Sequence, residues 1–288
     1  MYTTRPAEFT YHRPTSVEEA VALLSELEDS RPLAGGHSLL PAMKIRFSIP
    51  SALVDIGRIP ELRGIEAEGG GVRIGAMTTH AEIAASELVR SGAQALAEAA
   101  SIIGDRQVRN RGTIGGSLAH ADPGADEPTV VSALGATITA VGANGRRELA
   151  AGGFFTGLFT TELDPGELIT SVHVPAAGAG TGSAYVKHKH PASGYAVVGI
   201  AAAVSVEGGA CTAAKLVVGG VSGAPVDVPV GPLVGSSGSA AELTAAAGAV
   251  PGALTDVLGD TYATAEYRTH LATVLAKRAL ATAFERAR

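Results

Sequence analysis

The chain has one cysteine, Cys211, in 288 residues. A single thiol excludes an intramolecular disulfide, a zinc site built on several thiolates, and an iron–sulfur cluster ligated by this chain alone. Any redox centre is therefore held non-covalently or belongs to another chain. Cys211 lies in the apolar, strand-like run 211–218, where a small buried thiol without chemistry is the ordinary expectation. Tryptophan is absent, and the aromatics are six Tyr and six Phe. Positive charge is scarce: 22 Lys plus Arg face 28 Asp plus Glu, a net charge of −6. No global basic field exists to hold nucleic acid or an anionic membrane. Nowhere do roughly eighteen apolar residues run uninterrupted, the length a spanning helix needs, and Met1 to Pro14 contain no apolar export segment. The expectation is a cytoplasmic protein with no nucleic-acid partner. Also missing are a Gly-x-Gly-x-x-Gly fingerprint, a Gly-x-x-x-x-Gly-Lys-Ser/Thr loop, a Gly-x-Ser-x-Gly elbow and a His-Glu-x-x-His helix. Those absences disfavour Rossmann and P-loop nucleotide sites and leave a hydrolase reading unsupported.

What is present describes a folded, loop-rich protein, with 46 % hydrophobic and 17 % charged residues, 37 Gly and 15 Pro. A single core stops growing near this length, so two domains are expected. Thr15, Ser16 and Glu19 have capping-box spacing ahead of a helical repeat, which predicts a helix over 16–28. Leu33-Ala34, then Gly35-Gly36-His37-Ser38, then Leu39-Leu40 read as strand, tight turn and helix start. Strands are expected at 53–56 and 72–76, and Thr79 with Glu82 repeats the capping-box spacing. A helix over 93–103 leads through Asp105-Arg106-Gln107-Val108-Arg109-Asn110-Arg111 to Gly112-Thr113-Ile114-Gly115-Gly116-Ser117. Asn144-Gly145 marks a hairpin, and 168–174 reads as a strand. Residues 176–182 contain only Gly, Ala and Thr and read as a linker at the domain boundary. Strands at 183–187, 195–206 and 211–218 and helices at 240–247 and 263–286 follow.

Two Gly-Gly turns, at 35–36 and 115–116, each lead to a serine. Glycine has no Cβ and accepts positive φ, so such turns let backbone N–H groups approach a phosphate, with a Ser hydroxyl as a further donor. Two cradles fit a pyrophosphate; either one alone reads first as an ordinary tight turn of a Gly-rich protein.

Ala34-Gly35-Gly36-His37-Ser38-Leu39-Leu40-Pro41-Ala42-Met43-Lys44 resembles the first flavin loop of the medium subunit of aerobic carbon monoxide dehydrogenases. The run 108–117, with Asp122-Pro123 beyond, resembles the second flavin loop of the wider xanthine dehydrogenase, or molybdenum hydroxylase, family. Ile74-Gly75-Ala76-Met77-Thr78-Thr79, Pro165-Gly166-Glu167-Leu168-Ile169 and Ala265-Glu266-Tyr267-Arg268 extend the likeness along the chain. The second loop departs from the best-known carbon monoxide enzymes, with Ser117-Leu118-Ala119-His120-Ala121 where they carry an Asn-rich stretch.

The resemblance implies an α+β fold. A two-subdomain α/β FAD-binding domain of the vanillyl-alcohol-oxidase/PCMH type would cover 1–177, split near 57–62. A C-terminal sheet-plus-helices domain over 178–288 would cover the flavin. It implies non-covalent FAD with its diphosphate and ribityl chain on Ala34, Gly35, Gly36, His37, Ser38 and Leu39 and on Thr113, Ile114, Gly115, Gly116 and Ser117. Asp122 would reach the adenosine part, Ile169 would border the isoalloxazine, and Tyr195 would lie over its face as the catalytic-site aromatic. Lys187 would stand near the pyrimidine edge, where an ammonium would stabilise the reduced anion and raise the potential. The bland alternatives are a solvated strand lysine and an ordinary strand tyrosine. Arg106, Arg109 and Arg111 crowd the approach to the second loop, where one guanidinium would suit the diphosphate; solvated loop charge and contacts to a partner subunit are the alternatives. His188 and His190 alternate like a two-His pair but have no clear third ligand, so no metal is expected. Electrons would arrive from molybdopterin on a large partner subunit through 2Fe-2S clusters on a small one, in a dimer of heterotrimers, and leave to a quinone or respiratory-chain acceptor. The inner membrane face would be reached only through partners. The rivals are the medium subunit of an aldehyde, purine or nicotinate hydroxylase, a stand-alone flavin oxidase, and a scaffold that has lost FAD.

Overall fold

Three parallel strands open the chain: β1 (Thr10–His12), β2 (Ser30–Leu33) and β3 (Ala52–Asp55), paired in the order β1-β3-β2. The structure, a computed structural model, describes residues 5–288; Met1 to Thr4, the head of the stretch read as lacking an export segment, lie outside the described residues. Parallel strands need crossovers, and helix α1 (Val17–Glu26) carries the chain from β1 across to β2, on the other side of β3. Ser16 caps α1 by accepting from the Glu19 amide, as the spacing predicts, and Val17, Ala20 and Val21 bury its inner face. A second helix, α2 (Leu39–Lys44), leaves the first glycine turn.

The next layer contains β4 (Ile65–Glu68), β5 (Gly71–Gly75), β6 (Thr137–Gly142) and β7 (Gly145–Ala150), then a short ribbon, β8 (Phe155–Gly157) with β9 (Thr160–Thr161), and β10 (Leu168–Pro175). The strands β4-β5-β10-β6-β7 form an antiparallel sheet. Six helices fill the long excursion between β5 and β6: α3 (His80–Ala85), α4 (Glu87–Gly92), α5 (Gln94–Ile102), α6 (Arg106–Arg109), α7 (Ile114–His120) and α8 (Asp126–Ala133). Thr79 and Glu82 make the expected capping box at α3. The main core joins Ile74, Ile83, Leu96, Ile114, Ile138 and Val172, and Tyr185, Ala201 and Val217 enter it from the last sheet.

That last sheet is β11 (Thr181–Lys189), β12 (Ala196–Glu207), β13 (Ala210–Gly219) and β14 (Val226–Val228), all antiparallel. The C-terminal helix Ala265–Ala287 packs along it, burying Ala272, Leu275, Ala276, Leu280 and Phe284. Cys211 is buried in this layer, its thiol donating to Ala213 O, and burial pushes the thiol pKa up.

Three expectations need correction. Residues 176–182 are not a free linker: the amides of Ala176 and Ala177 donate to Gly70 O and Gly92 O, and β11 already begins at Thr181. Gly182 serves close packing there, since a Cβ would lie 2.1 Å from Ala283 O of the C-terminal helix. The hairpin turn is displaced by one residue, because Gly142 pairs with Gly145 and leaves Ala143-Asn144 as the turn, with Gly145 at φ 101°. Strand β4 was not foreseen; its Ile-Glu-Ala-Glu sequence is poor in strand formers, and it survives as a charged edge.

Candidate cofactor site

The first glycine loop is a turn with free donors. Gly36 stands at φ 74°, a left-handed conformation that L side chains resist, and the chain enters α2 directly after it. Among the described residues, the amides of Gly35, Gly36, His37 and Ser38 have no hydrogen-bond acceptor in the chain. Ser38 occupies the N-cap of α2 without capping it, so its hydroxyl is also available. His37 is exposed, its Nδ1 3.0 Å from Gly35 O.

The second loop is built differently. Ile114 donates to Thr78 O, Gly115 to Ala76 O, Gly116 to the Thr113 hydroxyl and Ser117 to Thr113 O, so in this loop only the Thr113 amide lacks an acceptor among the described residues. Its glycines serve close approach: a Cβ on Gly115 would lie 2.5 Å from the Ala76 Cβ, and one on Gly112 2.6 Å from His80 Nε2. The two loops touch, because a Cβ on Gly35 would lie 2.2 Å from Arg111 O and 2.8 Å from Gly112 Cα.

Beside this contact is a cavity of about 210 Å³ lined by Ala34, Gly35, Thr113, Thr79 and Asn110 and by Arg13, Arg63, Arg111 and Asp55. Arg13 pairs with Asp55 at 3.6 Å and Arg63 donates to Gly57 O, whereas Arg111 makes no ion pair among the described residues. Three guanidiniums against one carboxylate favour an anionic guest. Of the three arginines singled out in the sequence, Arg111 alone lines the cavity, while Arg109 is bound to the carbonyls of Ile103 and Gly104. Arg13 and Arg63 escaped sequence reasoning because nothing local marks them; only the fold of the first sheet brings them to the loops.

Tyr195 lies just before β12, not within it, and is 44 % exposed. Its side chain packs on Gly124, where an added Cβ would lie 3.3 Å from its Cβ, and its phenol lies near the Ser38 hydroxyl, so it reaches the first loop from the last layer. Partial burial, then the nearby Asp122 carboxylate, push its phenol pKa up, against the nearby Ser38 hydroxyl. Asp122 Oδ1 accepts from the Gly124 amide. Ile169 is buried in the main core at the irregularity of β10.

Lys187 is not a solvated strand residue. Its side chain is 2 % exposed, and its ammonium donates to Asp126 and to Gly194 O, both at 2.9 Å. The Tyr185 hydroxyl donates to the same carboxylate at 2.6 Å. Burial pushes Asp126 up despite Lys187, and burial with Asp126 beside it pushes Tyr185 well up. The pair joins α8 to β11 and fixes the carbonyl preceding Tyr195. His188 and His190 both lie against the Tyr262 ring, and no cluster of three metal-ligating side chains occurs among the described residues.

Comparison with known proteins agrees with this geometry. Residues 7–177 match the FAD binding domain in molybdopterin dehydrogenase, and residues 183–283 match the CO dehydrogenase flavoprotein C-terminal domain. The carbon monoxide dehydrogenase medium chain of Hydrogenophaga pseudoflava is 43 % identical over 284 residues, 98 % of this chain and 99 % of that one. A solved carbon monoxide dehydrogenase from the same organism, lacking the Mo-pyranopterin moiety, superposes with TM-score 0.94 over 98 % of this chain and 99 % of its own, at 43 % identity. Quinoline 2-oxidoreductase from Pseudomonas putida 86 superposes with TM-score 0.92 at 32 % identity, over 98 % of this chain and 99 % of its own. The open amides of the first loop and the guanidinium-lined cavity fit a dinucleotide diphosphate, and the chain belongs to the FAD-binding subunits of the molybdopterin dehydrogenase family.

Proposed function

We propose that the chain is the FAD-carrying electron-transfer subunit of an aerobic carbon monoxide dehydrogenase. The observation that carries this reading is a likeness of 43 % identity along 98 % of the chain to a carbon monoxide dehydrogenase medium chain. FAD, when bound, supplies the centre that takes electrons from one partner and releases them to another. The protein's part is to bind and orient it. The amides of Gly35, Gly36, His37 and Ser38 and of Thr113 would meet the diphosphate, Arg111 would neutralise it, and Ile114, Gly115, Gly116 and Ser117 would give the second wall its shape. Leu39 and Ala34 would flank the ribityl chain, and Asp122 and Ile169 remain the candidates for the adenosine and ring borders. Tyr195 would cover the ring face. The Asp126–Lys187 pair beside it is close to neutral as a unit, so Lys187 would tune the flavin less than a lone ammonium.

The domain boundary is placed between 177 and 178, with the first domain divided near 57–62. Partners would be a large molybdenum-cofactor subunit and a small subunit with 2Fe-2S clusters, in a dimer of heterotrimers, with a quinone or respiratory carrier as acceptor. No helix among the described residues is long and apolar enough to cross a membrane; the proposed location is the cytoplasm, with membrane carriers reached through the partners.

Anaerobic addition of carbon monoxide to the complex purified from its native host should bleach flavin and iron–sulfur bands together. Bleaching by a heterocycle and not by carbon monoxide would favour the second reading, an N-heterocycle hydroxylase, which the quinoline 2-oxidoreductase likeness supports.

A further inference from the structure

Under the second loop lies an ion pair that no proposed flavin contact uses. His80 Nδ1 is 2.9 Å from Glu127 Oε1, with the two side chains 6 % and 0 % exposed. Glu127 Oε2 has no partner, alone among buried side-chain polar atoms of the described residues. A buried carboxylate so poorly satisfied is costly unless its one partner is charged and fixed.

The pair has a mechanical connection to the flavin loops. The His80 amide donates to Gly112 O at 3.1 Å, and the imidazole lies on the Gly112 Cα, where a Cβ would be 2.6 Å from Nε2. Across this backbone stands Gly35 of the first loop, whose Cβ position is 2.8 Å from the same Gly112 Cα. Glu127, His80, Gly112 and Gly35 thus run in contact from α8 through both loops, and at the two glycines there is no room for a side chain.

We infer that His80 and Glu127 are positioning residues: their ion pair braces Gly112 and thereby sets the spacing of the two glycine loops that the diphosphate must bridge. The inference rests on the FAD reading. It explains why a carboxylate is kept in a site that leaves one oxygen unpaired: a neutral side chain would hold the imidazole only weakly.

The charges around His80 favour its protonated form. Burial alone would lower its pKa, but the Glu127 carboxylate outweighs that and Asp126 adds to it, while Arg109 of α6 opposes; the net direction is upward. Asp126 is itself held by Lys187 and Tyr185 of β11. From α5, Glu98 is engaged by Arg286 and the Tyr185 amide; from α4, Glu87 and Arg90 pair with each other at the surface; and Glu82 of α3 serves the Thr79 cap. Because the folded-state pKa is raised, the brace is complete at low pH and is lost as pH rises through that raised value.

The test uses the assembled complex, stripped of flavin and titrated with FAD across pH, with hydrogen exchange at residues 112–117 as an activity-independent readout. The FAD Kd of the unaltered complex should rise as pH climbs above the ordinary histidine range of about 6.5. Glu127→Gln should raise Kd roughly tenfold, the scale of one charge-assisted bond, flatten the pH profile and speed exchange at 112–117. His80→Asn, which keeps a donor near the Nδ1 position but does not titrate, should also flatten the profile, with a smaller rise in Kd. Variants matching the unaltered complex in Kd, pH profile and exchange would overturn the inference. If neither variant folds, a flat pH profile of the unaltered complex overturns it. An unaltered complex that takes up no FAD would sink the FAD reading instead, and exchange at 112–117 would still decide the brace.

Discussion

The two glycine loops share a Gly-Gly pair leading to a serine, yet they do opposite work. In the first, four successive amides are free and one glycine sits at φ 74°. In the second, the amides of Ile114, Gly115, Gly116 and Ser117 are all taken by the chain, and the glycines exist so that neighbours can approach. One loop presents donors; the other presents a fixed wall and the Thr113 amide. A glycine in a phosphate-binding stretch is therefore not by itself a sign that its own N–H touches the ligand. It can serve to seat the backbone that does.

The contrast can be broken by substitution. The largest effect is expected on the second-loop side, where α8 is anchored. Lys187→Met leaves Asp126 buried without its cation, and loss of one partner of such a pair costs about 3–5 kcal/mol. Denaturant unfolding should show a drop of that order; a drop under about 1 kcal/mol, the scale of an exposed pair, would mean that Asp126 is satisfied otherwise. Next is Gly35→Ala, which drives a methyl into Arg111 O. Both loops should separate, with loss of bound flavin and about 1–3 kcal/mol of stability, the usual cost of overpacking. Gly36→Val should act on the first loop alone. It forces a β-branched residue to positive φ, a strain of about 1–2 kcal/mol, and should abolish FAD binding while leaving most of the fold's stability; retained stoichiometric flavin would contradict the open-amide account. Thr113→Val removes the hydroxyl that caps α7, worth about 1 kcal/mol, and should speed exchange at Gly116 without changing exchange in the first loop. Arg111→Ala should be smallest: a few-fold weaker FAD binding at low ionic strength that fades as salt screens the charge.

Much of this was legible in the sequence. Helix starts at Ser16 and Thr79 follow from a side-chain oxygen three residues ahead of a glutamate, and that chemistry is local. Both glycine loops could be found by pattern and by family likeness. Their division of labour could not, because whether an amide is free depends on Thr78 and Ala76, distant in the chain and adjacent only in the fold. Lys187 was marked, but its partner Asp126 lies 61 positions away, so a buried pair read as either a free ammonium or a solvated residue. Residues 176–182 misled for the opposite reason: a stretch of small residues signals flexibility only when nothing packs against it, and at Gly182 a helix carbonyl does.

The most direct measurement of the central claim is the flavin content of the purified complex. The protein would be precipitated with acid, and the flavin in the supernatant identified and counted against this chain. The expected result is one FAD per chain, released intact, as non-covalent binding requires. No flavin in the complex, or flavin that stays attached to the precipitated chain, would contradict it.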